Sequence, residues 1–426
     1  MTQITVGFAG MTHLGVNSAA ATAARGFPVI GYDADSRVIE GLHAGNPPVV
    51  EPGLIEMLAE NATRLTFSTS AAELERCDVV YIAADVPTDD DAQSDLAPIR
   101  ALIDRVIANL RDDAILVILC QVPPGFTRAL AGIPKERLIY QVETLIFGRA
   151  VERAMHPERF IVGCADPAHE LPPRYREVLE AFGCPILPMR YESAELAKIS
   201  INFCLVASIG VANTLAEVSE VIGADWSEIV PALRLDRRIG PYAYLTPGLG
   251  IAGGNLERDL RTVLGLVAGG TADTGIITAW IANSAHRKDW CWHVLDERLL
   301  SKHPNAHVGV LGLAYKENTH STKNSPALAL LARLEGRRVS VHDPVVPGSV
   351  VLFATACAGP LSCAADADAL VLATPWPQYR ELALNDLKRV MHGRLLIDPY
   401  RLLDGKAAAV AGFEYHTLGM PALGVG

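Results

Sequence analysis

The sequence predicts an α/β chain: two doubly wound, parallel-sheet domains, one at each end, joined by a long central helix and a helical middle region. Three observations predict this. The chain opens on a buried strand, a glycine-bearing turn, a small-residue helix and a second strand ending in an acid, which together make a β-α-β unit. Short runs rich in valine, isoleucine and leucine alternate with helical stretches towards both ends, as in parallel sheets covered on both faces. Between them, residues 193 to 221 read as one apolar-rich helix.

Taken in order, "TQITVGF" (2–8) is the first strand and "AGMTHLG" its turn. "VNSAAATAARG" is the helix that follows, and "FPVIGYDAD" (27–35) the second strand. Further strands are expected at "CDVVYIAA", "AILVILC", "ERLIYQ" and "RFIVGC". After about residue 190 the pattern turns helical, from Ser193 through Val221 and on to about residue 303. A second α/β unit starts at "HVGVLGLAY" and runs through a helix, "SPALALLARLEG", into the strand "RRVSVHDP". "DALVLAT" and "RLLIDPY" supply later strands. The expected division is 1–190, 191–303 and 304–426, with the helical middle joining the domains and carrying a dimer interface.

Composition narrows the function. Of 426 residues, half are apolar, enough for sizeable cores. The net charge of −11 argues against nucleic acid or an anionic membrane as partner. The eight cysteines form no CxxC pair and no metal-like spacing, so they read as mostly reduced, buried thiols of a cytoplasmic protein, with no metal expected. No charge-free apolar stretch of about 18 residues is expected to act as a membrane span.

The first turn places Gly10, Thr12 and Gly15 in a G-x-G-x-x-G frame, and Asp33 follows at the end of the second strand. Glycines there allow a tight turn, close approach to a pyrophosphate and helix–strand packing, while the acid accepts from ribose hydroxyls and favours NAD over NADP. Thr12 replaces the middle glycine. Its Cβ crowds the pyrophosphate, although its hydroxyl can donate to a phosphate. His13 reads as a surface residue at the helix start. A β-α turn without a cofactor remains the alternative.

A chain-long resemblance joins these observations. The collinear landmarks are "VVEPGL" (49–54), "VPPGFT" (122–127), "HPERFIVG" (156–163), "SAELAKISINFCLVASIGVANTLAEV" (193–218), "GPYAYLTPGLGIAGG" (240–254), "LERDL", "GVLGLAYKENT" (309–319) and "SPAL". Together they resemble the UDP-glucose/GDP-mannose dehydrogenase family of nucleotide-sugar enzymes. The resemblance implies two Rossmann-like end domains, a homodimer, NAD as cofactor and a UDP- or GDP-linked sugar as substrate. Enzymes of that family oxidise a sugar C6 alcohol twice, the second time through a thiohemiacetal and thioester on a cysteine, which a positioned water then hydrolyses.

Carried over by position, Lys198 and Asn202 match the family's active-site Lys and Asn, four apart and so on one helix face. They imply oxyanion support and sugar contact. Asp259 matches an aspartate that positions water, Glu143 a glutamate, and Lys316 a substrate-side lysine. Tyr244, Gly250 and Gly253 fall in the substrate loop. Other readings stay open: Lys198 as a helix lysine with its head in solvent, Asp259 as a first-turn acid.

The departures cluster. Asn255 stands where the family has its nucleophilic cysteine. Gln121 and Val86 replace usual threonines, "TLIF" (144–147) replaces a charged segment, and Lys323 replaces an arginine that reaches the cofactor. An amide is not a useful nucleophile. Asn255 can hydrogen-bond a ligand oxygen or cap the following helix. Cys120 is the one thiol expected near the nicotinamide, more readily a small buried residue than a substitute nucleophile. Three functions follow: an NAD-dependent oxidoreductase making a single hydride transfer, a double oxidation through an aldehyde hydrate, or a non-catalytic binder of nucleotide sugar and NAD. The NADH formed per sugar separates them.

Overall fold

The computed structural model describes residues 3–87, 94–270 and 272–425; Thr2, at the start of the predicted first strand, lies outside them. The chain divides into two compact units, Met1–Ile201 and Asn202–Gly426. The first holds eight strands: β1 (Val6–Ala9), β2 (Val29–Tyr32), β3 (Leu65–Ser68), β4 (Val79–Ile82), β5 (Ile115–Ile118), β6 (Leu138–Gln141), β7 (Phe160–Cys164) and β8 (Ile186–Arg190). Their order across the sheet is β3-β2-β1-β4-β5-β6-β7-β8. The six inner strands are buried throughout, whereas the edge strands β3 and β8 are half-exposed. The unbroken apolar runs are the strands with helices on both faces.

Two strands, β7 and β8, run against the other six and so depart from the expected parallel sheet. β6 and β7 pair antiparallel, with Tyr140 opposite Gly163 and Gln141 opposite Val162. An antiparallel neighbour is entered from the same edge at which the previous strand ends, so the connection need not cross the sheet. Residues 142–159 therefore stay at the carboxyl edge of β6. That edge is where an open α/β sheet binds ligands.

The second unit carries β9 (Val308–Leu311), β10 (Val339–His342), β11 (Thr355–Ala356), β12 (Ala369–Leu372), β13 (Leu395–Ile397) and β14 (Glu414–His416), all parallel, in the order β11-β10-β9-β12-β13-β14. Both sheets reverse their winding beside their first strand, as Rossmann-like sheets do. Each unit has its own large apolar core.

The central helix runs from Tyr191 to Ile222. It corrects one expectation, since by length and composition it is long and apolar enough to cross a membrane, with a mean hydropathy of 1.7 over its most apolar window. Its charges lie towards the ends, at Glu192, Glu195, Lys198, Glu217 and Glu220, leaving 199–216 uncharged. One polar side chain of this stretch is used inside the protein. Asn213 is buried and its side-chain oxygen accepts from the Gly248 N–H at 2.8 Å.

Candidate functional site

The first turn is built by steric exclusion. Gly10 has φ +95°, and a Cβ there would lie 2.6 Å from that of Ala84. Gly15 sits in the helix His13–Ala24, where a Cβ would lie 1.8 Å from the Gly10 carbonyl oxygen. Only glycine permits this approach. Asp33 is held at the end of β2 by two backbone donors, Met11 N–H at 2.8 Å and Asp35 N–H at 3.0 Å. A carboxylate has about four acceptor sites, so two remain for ribose hydroxyls. Gly10, Thr12, Asp33, Asp85 and Arg105 help to line a cleft of about 310 Å³.

Thr12 has a use other than the expected phosphate contact. Its hydroxyl accepts from the Asp85 N–H at 2.9 Å and donates to the Ala83 carbonyl at 3.4 Å, tying the turn to the end of β4. Val86 is buried in the core of the unit. His13 is not the surface residue expected. It is buried, its Nε2 lies 2.8 Å from Glu51 Oε1, and Phe147 stacks on its ring at 3.9 Å. The segment after β6 folds over the helix start, and Glu51 holds that segment by accepting from Gly148 and Ala150. Burial would raise the Glu51 pKa, but these donors and His13 hold it below the usual carboxylate range.

The same unit brings Lys198 to Glu143. The Lys198 ammonium lies 3.7 Å from Glu143 Oε2, and both side chains are largely buried. The other Glu143 oxygen accepts from the Leu145 N–H. Gln121 is half-buried just beyond β5. Beside it Cys120 is buried, and burial pushes its thiol up to about 12, so it is a poor nucleophile at neutral pH. One turn before Lys198, the fully buried Glu195 accepts from Gly125 N–H at 2.6 Å and Thr127 N–H at 2.9 Å. Burial raises its pKa, and these two donors oppose the rise. Glu195 thus joins "VPPGFT" to the helix that carries Lys198.

In the second unit, Asn202 Nδ2 donates to Asp259 Oδ2 at 2.6 Å, and both residues are buried. Arg258 Nε lies 3.7 Å from the other Asp259 oxygen. Asn255 is the exposed first residue of the helix Asn255–Leu266, one turn before Asp259 and so on its face. Gly254 holds the N-cap position, so the capping role considered for Asn255 is not what the structure has. The loop before it turns at Gly250 (φ +76°) and Gly253 (φ +74°). A Cβ at Gly250 would lie 2.4 Å from the Ser284 carbonyl, and one at Gly253 would lie 3.1 Å from the Tyr315 ring. Ile251 N–H donates to Ser284 Oγ at 2.8 Å, and Gly253 N–H to the Lys323 carbonyl at 3.1 Å. Lys316 places its ammonium 5.7 Å from the centre of the Tyr315 ring, and Lys323 is half-buried. Tyr244 is 47% exposed.

The second sheet repeats the turn of the first. Gly312 (φ +101°) follows β9, and Asp343 follows β10. Asp343 accepts from the N–H groups of Leu313, Ala314, Val345 and Val346 and from Trp376 Nε1, at 2.7 to 3.0 Å. Burial works against its charge, but these donors hold its pKa below the usual range. Among the described residues, no group of three or more His, Cys, Asp or Glu could hold a metal ion.

Sequence reasoning missed Glu51, Glu195 and Asn324 as organising residues. The available signal was their place inside or beside "VVEPGL", "SAELAK" and "SPAL".

Comparison with known proteins gives the same picture along the whole chain. Three models of the UDP-glucose/GDP-mannose dehydrogenase family match in order: the NAD binding domain at residues 4–182, the central domain at 192–284 and the UDP binding domain at 309–405. The chain is 30% identical to a UDP-glucose 6-dehydrogenase of Pseudomonas aeruginosa, covering 97% of each. It is 28% identical to the UDP-glucose 6-dehydrogenase TuaD of Bacillus subtilis, covering 97% of this chain and 93% of that one. Among solved structures, a UDP-glucose dehydrogenase from Pyrobaculum islandicum matches with TM-score 0.83 and 28% identity over 94% of this chain and 95% of its own. A UDP-D-ManNAc dehydrogenase from Pyrococcus horikoshii shares the fold, with TM-score 0.85 and 23% identity over 98% of this chain and 99% of its own.

Proposed function

This chain belongs to the UDP-glucose/GDP-mannose dehydrogenase family, and from that premise we propose that it is an NAD-dependent nucleotide-sugar oxidoreductase performing a single hydride transfer. The observation that carries the reading is Asn255, exposed on the face of Asp259 at the start of the loop helix, with no cysteine anywhere in 240–260. A second oxidation through a thioester needs a thiolate, and burial keeps Cys120 protonated.

The first oxidation needs less. NAD, when bound, accepts the hydride. Asp33, with two acceptor sites to spare, receives the ribose hydroxyls, and the Gly10–Gly15 turn leaves room for the pyrophosphate. Lys198, oriented by Glu143, holds the oxygen that becomes negative as the alcohol loses its proton. Asp259, steadied by the Asn202 amide, is the carboxylate offered to that proton. Asn255 hydrogen-bonds a hydroxyl or carbonyl oxygen of the sugar.

The test is incubation with NAD, or with NADP, and a panel of UDP-glucose, UDP-N-acetylglucosamine and GDP-mannose. NADH is counted per sugar, and the product is weighed by mass spectrometry. The expected product has lost two hydrogens, with one NADH formed and NADP a poor substitute. A sugar that has gained one oxygen and lost two hydrogens, with two NADH, refutes the single transfer and favours the hydrate route. Asn255→Cys is expected to change the first step little and to trap the aldehyde as a covalent adduct.

The helical middle, 191–303, is proposed to carry a homodimer interface. Val211, Leu215, Val218 and Ile222 recur at helical spacing along the central helix, and each is between 43% and 69% exposed. Sedimentation at micromolar concentration should show a dimer, and a clean monomer would rule it out. The eight free thiols fit a cytoplasmic protein, which cell fractionation checks.

A further inference from the structure

We infer that Asn324 is a positioning residue: it sets the glycine loop 250–254, and so the placement of Asn255, from the chain segment that follows β9. The inference rests on the functional reading above for its kinetic consequence, and on geometry alone for the clamp itself.

One amide meets four partners. Asn324 Nδ2 donates to Glu257 Oε2 at 2.7 Å, to the Ile251 carbonyl at 3.1 Å and, more weakly, to the Gly253 carbonyl at 3.4 Å. Its oxygen accepts from the Lys288 ammonium. The amide therefore stands between a cation and an anion, its oxygen towards the first and its NH2 towards the second. No other side chain of that size donates and accepts at both ends in this way. Lys288 is partly buried, which lowers its pKa, and Glu257 is the opposing charge that favours its ammonium form. The backbone of Asn324 has φ +52°, a left-handed conformation that asparagine tolerates better than most residues.

Two more contacts join the same two pieces. Gly253 N–H donates to the Lys323 carbonyl, and the Tyr315 ring lies over Gly253 so closely that a Cβ there would press on it at 3.1 Å. The segment supplying these contacts is closed on itself. Tyr315 N–H donates to the Ser321 carbonyl at 3.0 Å, and Ser325 Oγ to the Leu313 carbonyl at 2.8 Å. It also carries Lys316 and Lys323. The glycine loop has the greater intrinsic freedom, so it takes its shape from this segment. The helix that starts at Asn255, two residues after Gly253, also carries Asp259, the proposed base, so a shifted loop shifts that carboxylate. Misplacing a group that must meet substrate by about 1 Å costs about a hundredfold in rate.

Asn324→Gly removes the amide and keeps the left-handed backbone without strain. Its kcat is expected to fall about 30- to 100-fold, with calorimetric binding of NAD and the nucleotide sugar changed less than about threefold. Asn324→Asp sets a second carboxylate beside Glu257 and should lose more. Combining it with Glu257→Gln exchanges amide and carboxylate between the same partners, keeps an acceptor for Lys288, and should recover about tenfold of that loss. Hydrogen exchange gives a readout independent of turnover: the Ile251 and Gly253 amides should exchange faster in Asn324→Gly. Unchanged exchange overturns the clamp, as does a kcat within about threefold of wild type or the absence of any recovery in the double variant. If the wild-type protein turns over none of the panel, the functional reading fails, and the exchange result alone decides the clamp.

Discussion

Lys198→Met is expected to lower kcat by roughly 10²–10³-fold, the usual cost of removing a preorganised group that faces developing negative charge. Methionine keeps the buried stem and removes only the ammonium, so nucleotide-sugar and NAD binding measured by calorimetry should hold. The size of the effect follows from the setting. The Lys198 side chain is 11% exposed and its ammonium lies 3.7 Å from a Glu143 that is 19% exposed. A charge held in such surroundings acts on a neighbouring oxygen with little screening. Glu143→Gln should reduce kcat less, because it loosens the orientation of Lys198 and leaves the charge. Single-turnover formation of NADH within tenfold of wild type in Lys198→Met would remove Lys198 from the reaction.

Arg287→Leu is expected to destabilise the second unit by about 3 kcal/mol. Arg287 is fully buried, 3.3 Å from Glu217 and 3.5 Å from Glu220. Only the contact to Glu220 also meets hydrogen-bond geometry; its Nε and Nη1 are buried without a hydrogen bond, so the attraction is mostly Coulombic. Glu220 in turn accepts from Gly419 N–H at 2.8 Å and Trp290 Nε1 at 3.2 Å, fastening the chain's last segment to the central helix. Leucine fills part of the space and leaves Glu220 with no buried cation. Glu217 is 40% exposed, so its share is screened. Burial tends to raise the Glu217 pKa, but His286 and Arg287 hold it below the usual range. A depressed carboxylate stabilises above its unfolded pKa and loses that contribution as pH falls through its folded one. The stability gap between wild type and variant, followed by urea denaturation, should therefore narrow as the pH is lowered below about 4. A gap that widens on acidification would contradict this account.

Strands buried on both faces were legible because burial leaves an unbroken apolar run, as in Val79–Ile82 and Ile115–Ile118. The edge strands β3, β8, β11 and β14 carry no such run. β8 even contains Pro188, and β11 has two residues, both exposed. The reversal of β7 and β8 was not legible, since alternation of side chains says nothing about strand direction. In the first turn, the close approach at Gly10 and Gly15 and the place of Asp33 at the end of β2 were legible because a β-α-β turn ties them to a spacing. Glu195 was not, because in a helix read from Ser193 a glutamate at the third position looks favourable for the helix dipole alone. Its partners Gly125 and Thr127 lie about 70 residues away. His13 was misplaced for the same kind of reason: what covers it, Phe147, is more than a hundred residues further along the chain.

The aspartates at the two repeated turns set different limits on redesign. Asp33 keeps open acceptor sites, so under the proposed function single substitutions near it are expected to shift which ribose is read. Asp343 has none to offer, since four backbone amides and an indole already converge on it. Grafting a second dinucleotide reader onto the C-terminal sheet would mean rebuilding the 343–346 loop and moving Trp376, and no point mutation achieves that. The repeat is thus one of architecture, and altering the cofactor preference of one half leaves the other half untouched.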